Sequence, residues 1–176
     1  VTVKATVKDA NGDVYSTGIT GDLTSNVTLD MSGDGADTAS EKTLIFGTST
    51  AAGKYTIEIT ATYDGKANVI ATVPFEVLPK QATETAPTFT GTVTGGTTKV
   101  KEITTSMFSP VNSSYTITSL VVKVDGVELV SGVDLLYVIQ SGSTVMADVT
   151  VTAAENYSFG DGMNTHVFKD VSITVS

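Results

Sequence analysis

The stretch YTIEITATYDGKANVIATVPFEV, residues 55–77, decides the fold. Tyr55, Ile57, Ile59 and Ala61 alternate with Thr56, Glu58, Thr60 and Thr62, and the pattern resumes at Ala67, Val69, Ala71, Val73, Phe75 and Val77. A period of two collects these side chains on one face of an extended strand, whereas a helix would scatter them. Both runs hold their apolar residues at odd positions, so facing pairs need an even index sum for the core face to continue across the hairpin. A two-residue Asp64-Gly65 loop pairs Tyr63 with Lys66 and breaks that rule. A three-residue loop, Tyr63-Asp64-Gly65 with Gly65 left-handed in a bulge, pairs Thr62 with Lys66 and obeys it. The expected register sets Ala61 opposite Ala67, Ile59 opposite Val69, Ile57 opposite Ala71 and Tyr55 opposite Val73. Pro74 cannot donate to a ladder, so its strand is expected at an edge or bulged.

Working outward, Val1, Val3, Ala5 and Val7 form a third alternating run. The loop Ala10-Asn11-Gly12, with Gly12 left-handed, predicts Val7 opposite Tyr15, Val3 opposite Ile19, and Asp9 across from Asp13. Segments 23–31 and 43–46 complete six or seven strands in the first half. The second half reads as seven strands, at 89–93, 99–103, 115–124, 127–130, 135–139, 145–153 and 167–175. Gly95-Gly96, Asp125-Gly126, Ser141-Gly142 and Asp161-Gly162 mark turns between them. Thr104 to Phe108 fits a single helical turn.

Between the halves, residues 78–87 (LPKQATETAP) carry two prolines and almost no apolar periodicity, the composition of a domain boundary. The fold class expected is all-β: two tandem immunoglobulin-like antiparallel β-sandwich domains, 1–79 and 88–176, joined by a Pro-containing linker, 80–87.

Composition narrows the function. The 176 residues contain no Cys and no Trp, all ten positive charges are lysines, and the net charge is −9. Disulfide frameworks, thiolate metal sites and Cys nucleophiles are excluded. So is a guanidinium fork for phosphate, and the acidity argues against nucleic acid. No apolar run approaches the length of a membrane span. Thr and Ser supply just over a quarter of the chain, and a Cys-free, Thr-rich, acidic composition suits an exported prokaryotic protein at the cell surface. The strand patterns at both ends are those of a piece of something longer.

Two stretches resemble bacterial immunoglobulin-like surface modules. VTVKATVKDANGDVYSTG (1–18) with TAAGKYTIEITATYDGKANVIATVPFEV (50–77) is similar to the repeats of adhesins of the invasin and intimin kind. VKVDGVELVSGVDLLYVIQSGSTVMADVTVTAAENYSFGDG (122–162) is similar to modules of large exported Gram-positive proteins, including surface-layer proteins. The Cys…Trp…Cys pin of antibody domains is missing. Tyr55, after Ala52-Gly53, sits where a tyrosine-corner residue is expected, and Tyr157 is its counterpart in the second half. The resemblance implies a stalk, lattice or adhesion role with no catalytic residues and no cofactor. The partners it implies are other domains of the same longer chain, copies of itself or cell-surface glycans. A carbohydrate- or host-ligand-binding module, or an accessory domain of a secreted polysaccharide-degrading enzyme, is the alternative.

Asp30, Asp34, Asp37 and Glu41 lie in the acidic run LDMSGDGADTASE, where Ca²⁺ could find oxygen ligands, although the spacing is not that of an EF-hand. His166, the one imidazole, has no partner at recognisable spacing, and no G-x-S-x-G, H-E-x-x-H or P-loop occurs. A Lys–Asn or Lys–Asp isopeptide staple would start from Lys4, Lys8, Lys99 or Lys101, with Asp170 the one acceptor in the last strand. A sugar platform would need Tyr15, Tyr63, Tyr115 or Tyr137. Structural calcium held by the acidic run would raise the thermal midpoint over that measured in EGTA; equal midpoints remove the site.

Overall fold

A computed structural model describes residues 2–21, 27–28, 44–47, 50–129 and 132–176. The described residues are all-β apart from short 3₁₀ turns at Val100–Glu102, Thr105–Met107 and Gly132–Leu136. The chain divides into two compact units, Val1–Pro79 and Lys80–Ser176.

Unit 1 contains β1 (Thr2–Lys8), β2 (Ile19–Gly21), β3 (Val27–Thr28), β4 (Leu44–Phe46), β5 (Gly53–Tyr63) and β6 (Lys66–Val77). One sheet has the order β3-β1-β5-β6, all antiparallel, and β2 pairs with β4 in a second. Aromatic side chains join them: Phe46 of β4 lies 4.9 Å from Phe75 of β6, and Phe75 stacks on Tyr55 at 5.5 Å.

The β5–β6 hairpin corrects the expected register. Tyr63 faces Lys66, so the loop is the two-residue Asp64-Gly65, both at positive φ. The extra residue that restores an even index sum is Ile70, a bulge between the Thr60–Val69 and Ile59–Ala71 pairs. Beyond it Ile57 faces Val73 and Tyr55 faces Phe75, two positions from the sequence expectation. A loop bulge and a mid-strand bulge satisfy the same parity; the left-handed preference of Asp-Gly at both turn positions favours the short loop. Val69 and Ala67 consequently join the Thr60 and Thr62 face.

At the first hairpin Gly12 has φ +88 and Tyr15 N–H donates to Val7, as expected. The carboxylate of Asp9 accepts the N–H groups of Asn11 and Asp13 at 2.9 and 3.0 Å, which offsets its repulsion from Asp13. The expected Val3–Ile19 pairing does not form. Gly18, at φ +69, bends the chain into the second sheet, where Ile19 faces Phe46 while Val3 faces Val27 and Ala61.

Unit 2 contains β7 (Lys80–Gln81), β8 (Thr88–Phe89), β9 (Phe108–Ser109), β10 (Tyr115–Val124), β11 (Val127–Leu129), β12 (Val145–Ala153), β13 (Tyr157–Ser158) and β14 (Thr165–Ile173). Its main sheet is antiparallel, in the order β11-β10-β12-β14, with β8 paired to β9 and β7 parallel to β13. Val145, Ala147, Val149 and Val151 are buried, as their alternation predicts. On β10 the core face passes from Tyr115 and Ile117 to Leu120, Val122 and Val124, because Thr118 is an extra residue. Phe108, Ile139, Val93, Val100, Ile103 and Phe159 complete the core.

Four sequence expectations change here, the first being the strand at 89–93, which shortens to Thr88–Phe89 with an isolated bridge at Val93. Residues 99–103 and 135–139 are not strands: the Glu102 carboxylate accepts the Lys99 N–H at 2.8 Å and closes a turn, and only Lys99 and Val138 bridge. Residues 80–87, read as a linker, belong to unit 2, with Ala82 2% exposed in its core.

Ile139→Val removes one methylene from a fully buried side chain and is expected to cost unit 2 about 1 kcal/mol in chemical unfolding. Ile45→Val, at a side chain 57% exposed, is expected to change nothing measurable.

Candidate functional site

Each unit anchors a tyrosine at the start of a long strand. In unit 1 the Tyr55 hydroxyl donates to the Ala51 carbonyl at 2.8 Å, while the Ala51 N–H donates to the Tyr15 hydroxyl at 3.0 Å. The two rings lie 4.8 Å apart. Burial pushes the Tyr55 phenol up to about 12, helped by its hydrogen bond to Tyr15, the charge of Tyr15 and the carboxylate of Asp9.

In unit 2 the corresponding residue is Tyr115, the first residue of β10 and 1% exposed. Its hydroxyl donates to the Thr85 carbonyl at 3.0 Å and accepts the Val111 N–H at 3.4 Å. Tyr157, the sequence candidate, sits half-buried in β13 with the Lys80 ammonium 5.8 Å from its ring centroid. The signal for Tyr115 was its place at the head of the longest run of the second half, matching Tyr55.

Tyr115 thereby ties down the segment 80–85. Lys80 N–H donates to Asn156 at 2.8 Å, and Ala82 N–H to Ser158 at 2.7 Å. Thr83 N–H donates to the Ser114 hydroxyl at 3.0 Å, and the Glu84 carboxylate accepts the Gly160 N–H at 3.2 Å.

On the outer face of the main sheet, Lys123 Nζ lies 2.7 Å from an Asp148 oxygen and 2.9 Å from an Asp170 oxygen. Asp148 also accepts the Asp170 N–H at 3.0 Å. Asp170 has φ +54 and lies where two residues of β14, Lys169 and Asp170, span one of β12. The triad satisfies this left-handed bulge, whose conformation is unfavourable for a residue other than glycine. Asp148 is held below its ordinary value by the Lys123 hydrogen bond, against burial, and Lys123 is raised by its bonds to Asp148 and Asp170. Within its own unit Asp170 therefore meets Lys123 and not Lys99 or Lys101. The charged forms of Lys123 and Asp148 that their hydrogen bond favours oppose amide formation between those two, which needs a neutral amine and a protonated carboxyl.

Of the residues singled out in the sequence, Asp30, Asp34, Asp37 and Glu41 lie outside the described residues. Among the described residues no group of three or more His, Asp or Glu side chains could hold a metal ion. His166 is half-buried between Phe159 and Phe168, at ring distances of 5.2 and 4.7 Å. Tyr115 is buried and cannot present a face to a sugar; Tyr15 is half-buried, whereas Tyr63 and Tyr137 are exposed. A half-open cleft of about 420 Å³ in unit 2 is lined mainly by aliphatic side chains, among them Ile103, Leu120, Val121, Leu129 and Leu135, with Lys101 and Thr104. In unit 1 an open cleft of about 480 Å³ is lined by Asp9, Lys54, Tyr55, Phe75 and Glu76, among others. No helix among the described residues is long and apolar enough to cross a membrane. No family model, curated protein or solved structure matches this chain.

The shifts have definite signs. Tyr55 lies above its ordinary 10.0, so the stability it contributes is present below pH 10 and lost as pH rises toward 12. Tyr55→Phe is expected to flatten that alkaline loss in unit 1; an unchanged loss contradicts the assignment. Asp148 lies below 3.8, so its contribution is present above that pH and is lost as pH falls through the depressed value. Lys123 lies above 10.5, so its contribution is present below that pH and fails only in strong alkali. The midpoint difference between the wild type and Lys123→Met in unit 2 is expected to be full at neutral pH and to collapse in acid; a pH-independent difference contradicts the triad.

Proposed function

We propose that each unit is an immunoglobulin-like β-sandwich and that the chain is a non-catalytic structural module of a bacterial cell-surface protein, working outside the cell as a stalk, adhesin or lattice segment. The observation that carries this is the path of the chain through each unit. In unit 1, β1 and β6 both run antiparallel to β5. β1 begins opposite Thr62 and β6 ends opposite Gly53, so the chain enters at one end of an eleven-residue strand and leaves at the other. In unit 2 the chain enters beside β13, at the end where Tyr115 faces Ala153, and leaves past Ile173, which faces Val145 at the opposite end.

Tension on such a unit acts along the strands. Antiparallel ladder bonds lie perpendicular to the strands, so a pull along the axis loads many of them together, in shear. That is the arrangement a spacer needs. Its partners are other domains of a longer chain and copies of itself, whose acidic faces repel unless a cation bridges them.

Stretched by its ends in single-molecule force spectroscopy, each unit is expected to yield in a discrete peak, the longer release coming from 80–176. Extension at baseline force without peaks contradicts the reading. Exposure of Tyr63 (73%) and Tyr137 (41%) favours the second reading, a glycan-binding module, since stacking needs an open ring face. Glycan-array binding lost on Tyr63→Ala or Tyr137→Ala would establish it.

A further inference from the structure

We infer that residues 80–85 form a latch that bears the load on unit 2, and that the Tyr115 hydroxyl is its lock. The inference rests on the load-bearing reading above and names the part of unit 2 that resists first at its Lys80 end.

The segment from Lys80 to Val93 runs the length of the main sheet. It starts against β13, beside the Tyr115–Ala153 pair, and reaches the opposite end, where Val93 forms a parallel bridge with Val175 just past β14. It therefore runs in the direction of β14, the strand by which the chain leaves. A pull on Lys80 against a pull on Ser176 slides these two paths past each other.

At the Ser176 end the first bonds in the way join Ser176 to Val93 and Gly95; at the Lys80 end they belong to 80–85. Four follow one another along the chain: the backbone bonds of Lys80 to Asn156 and of Ala82 to Ser158, the Thr83 N–H donating to the Ser114 hydroxyl, and the Glu84 carboxylate accepting the Gly160 N–H. The fifth differs in kind. The Tyr115 hydroxyl, donating to Thr85 and accepting from Val111, is carried on a ring packed 5.7 Å from Phe168 and 6.4 Å from Phe159. A side chain that is 1% exposed cannot follow the latch outward, so the segment cannot slide past the sheet until the Thr85 bond breaks.

The test is Tyr115→Phe, which keeps the ring and removes the oxygen, pulled as the full chain beside the wild type, with unit 1 as internal reference. The expected result is a lower peak force for unit 2, or a separate early extension of about 20 Å, the length of six freed residues, with the unit 1 peak unchanged. Ser114→Ala is expected to act in the same direction. Amide exchange at Ala82 and Thr83 is expected to quicken in Tyr115→Phe while β12 amides stay protected, which shows that the variant is folded. An unchanged unit 2 peak without an early step, in a variant so protected, overturns the latch and leaves the load-bearing reading intact. A wild type that extends without any peak overturns both.

Discussion

The rest of the structure depends on one constraint: each long strand must deliver its apolar side chains to a single face, although its neighbours do not start in phase. Shifting a strand by one residue turns its whole apolar set to the wrong side, at about 25 cal/mol for each Å² left in water. One unpaired residue costs less. The chain inserts one at Thr118 in β10, one opposite Asp148 in β14, and Ile70 in β6, beyond which Val73, Phe75 and Val77 return to the face of Ile57 and Tyr55 while Ala67 and Val69 stay on the Thr60 and Thr62 face. At Thr118 the core face passes from odd to even positions without interruption, as the burial of Tyr115, Val122 and Val124 records.

The irregularities are also where polar chemistry concentrates. The bulge at Lys169-Asp170 turns an aspartate into the left-handed region, and Lys123 and Asp148 together satisfy its carboxylate and its N–H. At the other end of the same sheet, the buried hydroxyl of Tyr115 holds a segment of chain remote in sequence. Tyr55 does similar work over a shorter distance by gripping Ala51. In these places side chains fix the backbone where sheet hydrogen bonding gives out. Ends secured in this way would suit the load-bearing role proposed above.

Much of this was legible in the residues. The alternation at 55–63, 145–151 and 171–175 identified strands, and Asp125-Gly126 and Asn11-Gly12 marked turns whose left-handed glycines are present. The parity of residues 55–77 required one extra residue, but parity alone does not say whether the loop or the strand holds it. The linker reading failed because a polar, proline-bearing segment can still bury one small side chain, and only the partner strand β13 reveals that Ala82 does so. The place of Tyr115 at the head of its run marks it as the counterpart of Tyr55, but its partner is not legible, since nothing local announces a hydrogen bond to Thr85, thirty residues away. Lys123 was invisible as a site because its partners lie on two other strands, in a register that a bulge displaces.

The central claim, that continuity of the core face sets the register through inserted residues, is tested most directly by cross-strand proton contacts in the NMR spectrum of the β5–β6 hairpin. The account predicts contacts from Ile57 to Val73 and from Tyr55 to Phe75, with Ile70 unpaired. Contacts from Ile57 to Thr72 and from Tyr55 to Pro74, the register that follows from the Tyr63–Lys66 pair with no residue inserted, would contradict it.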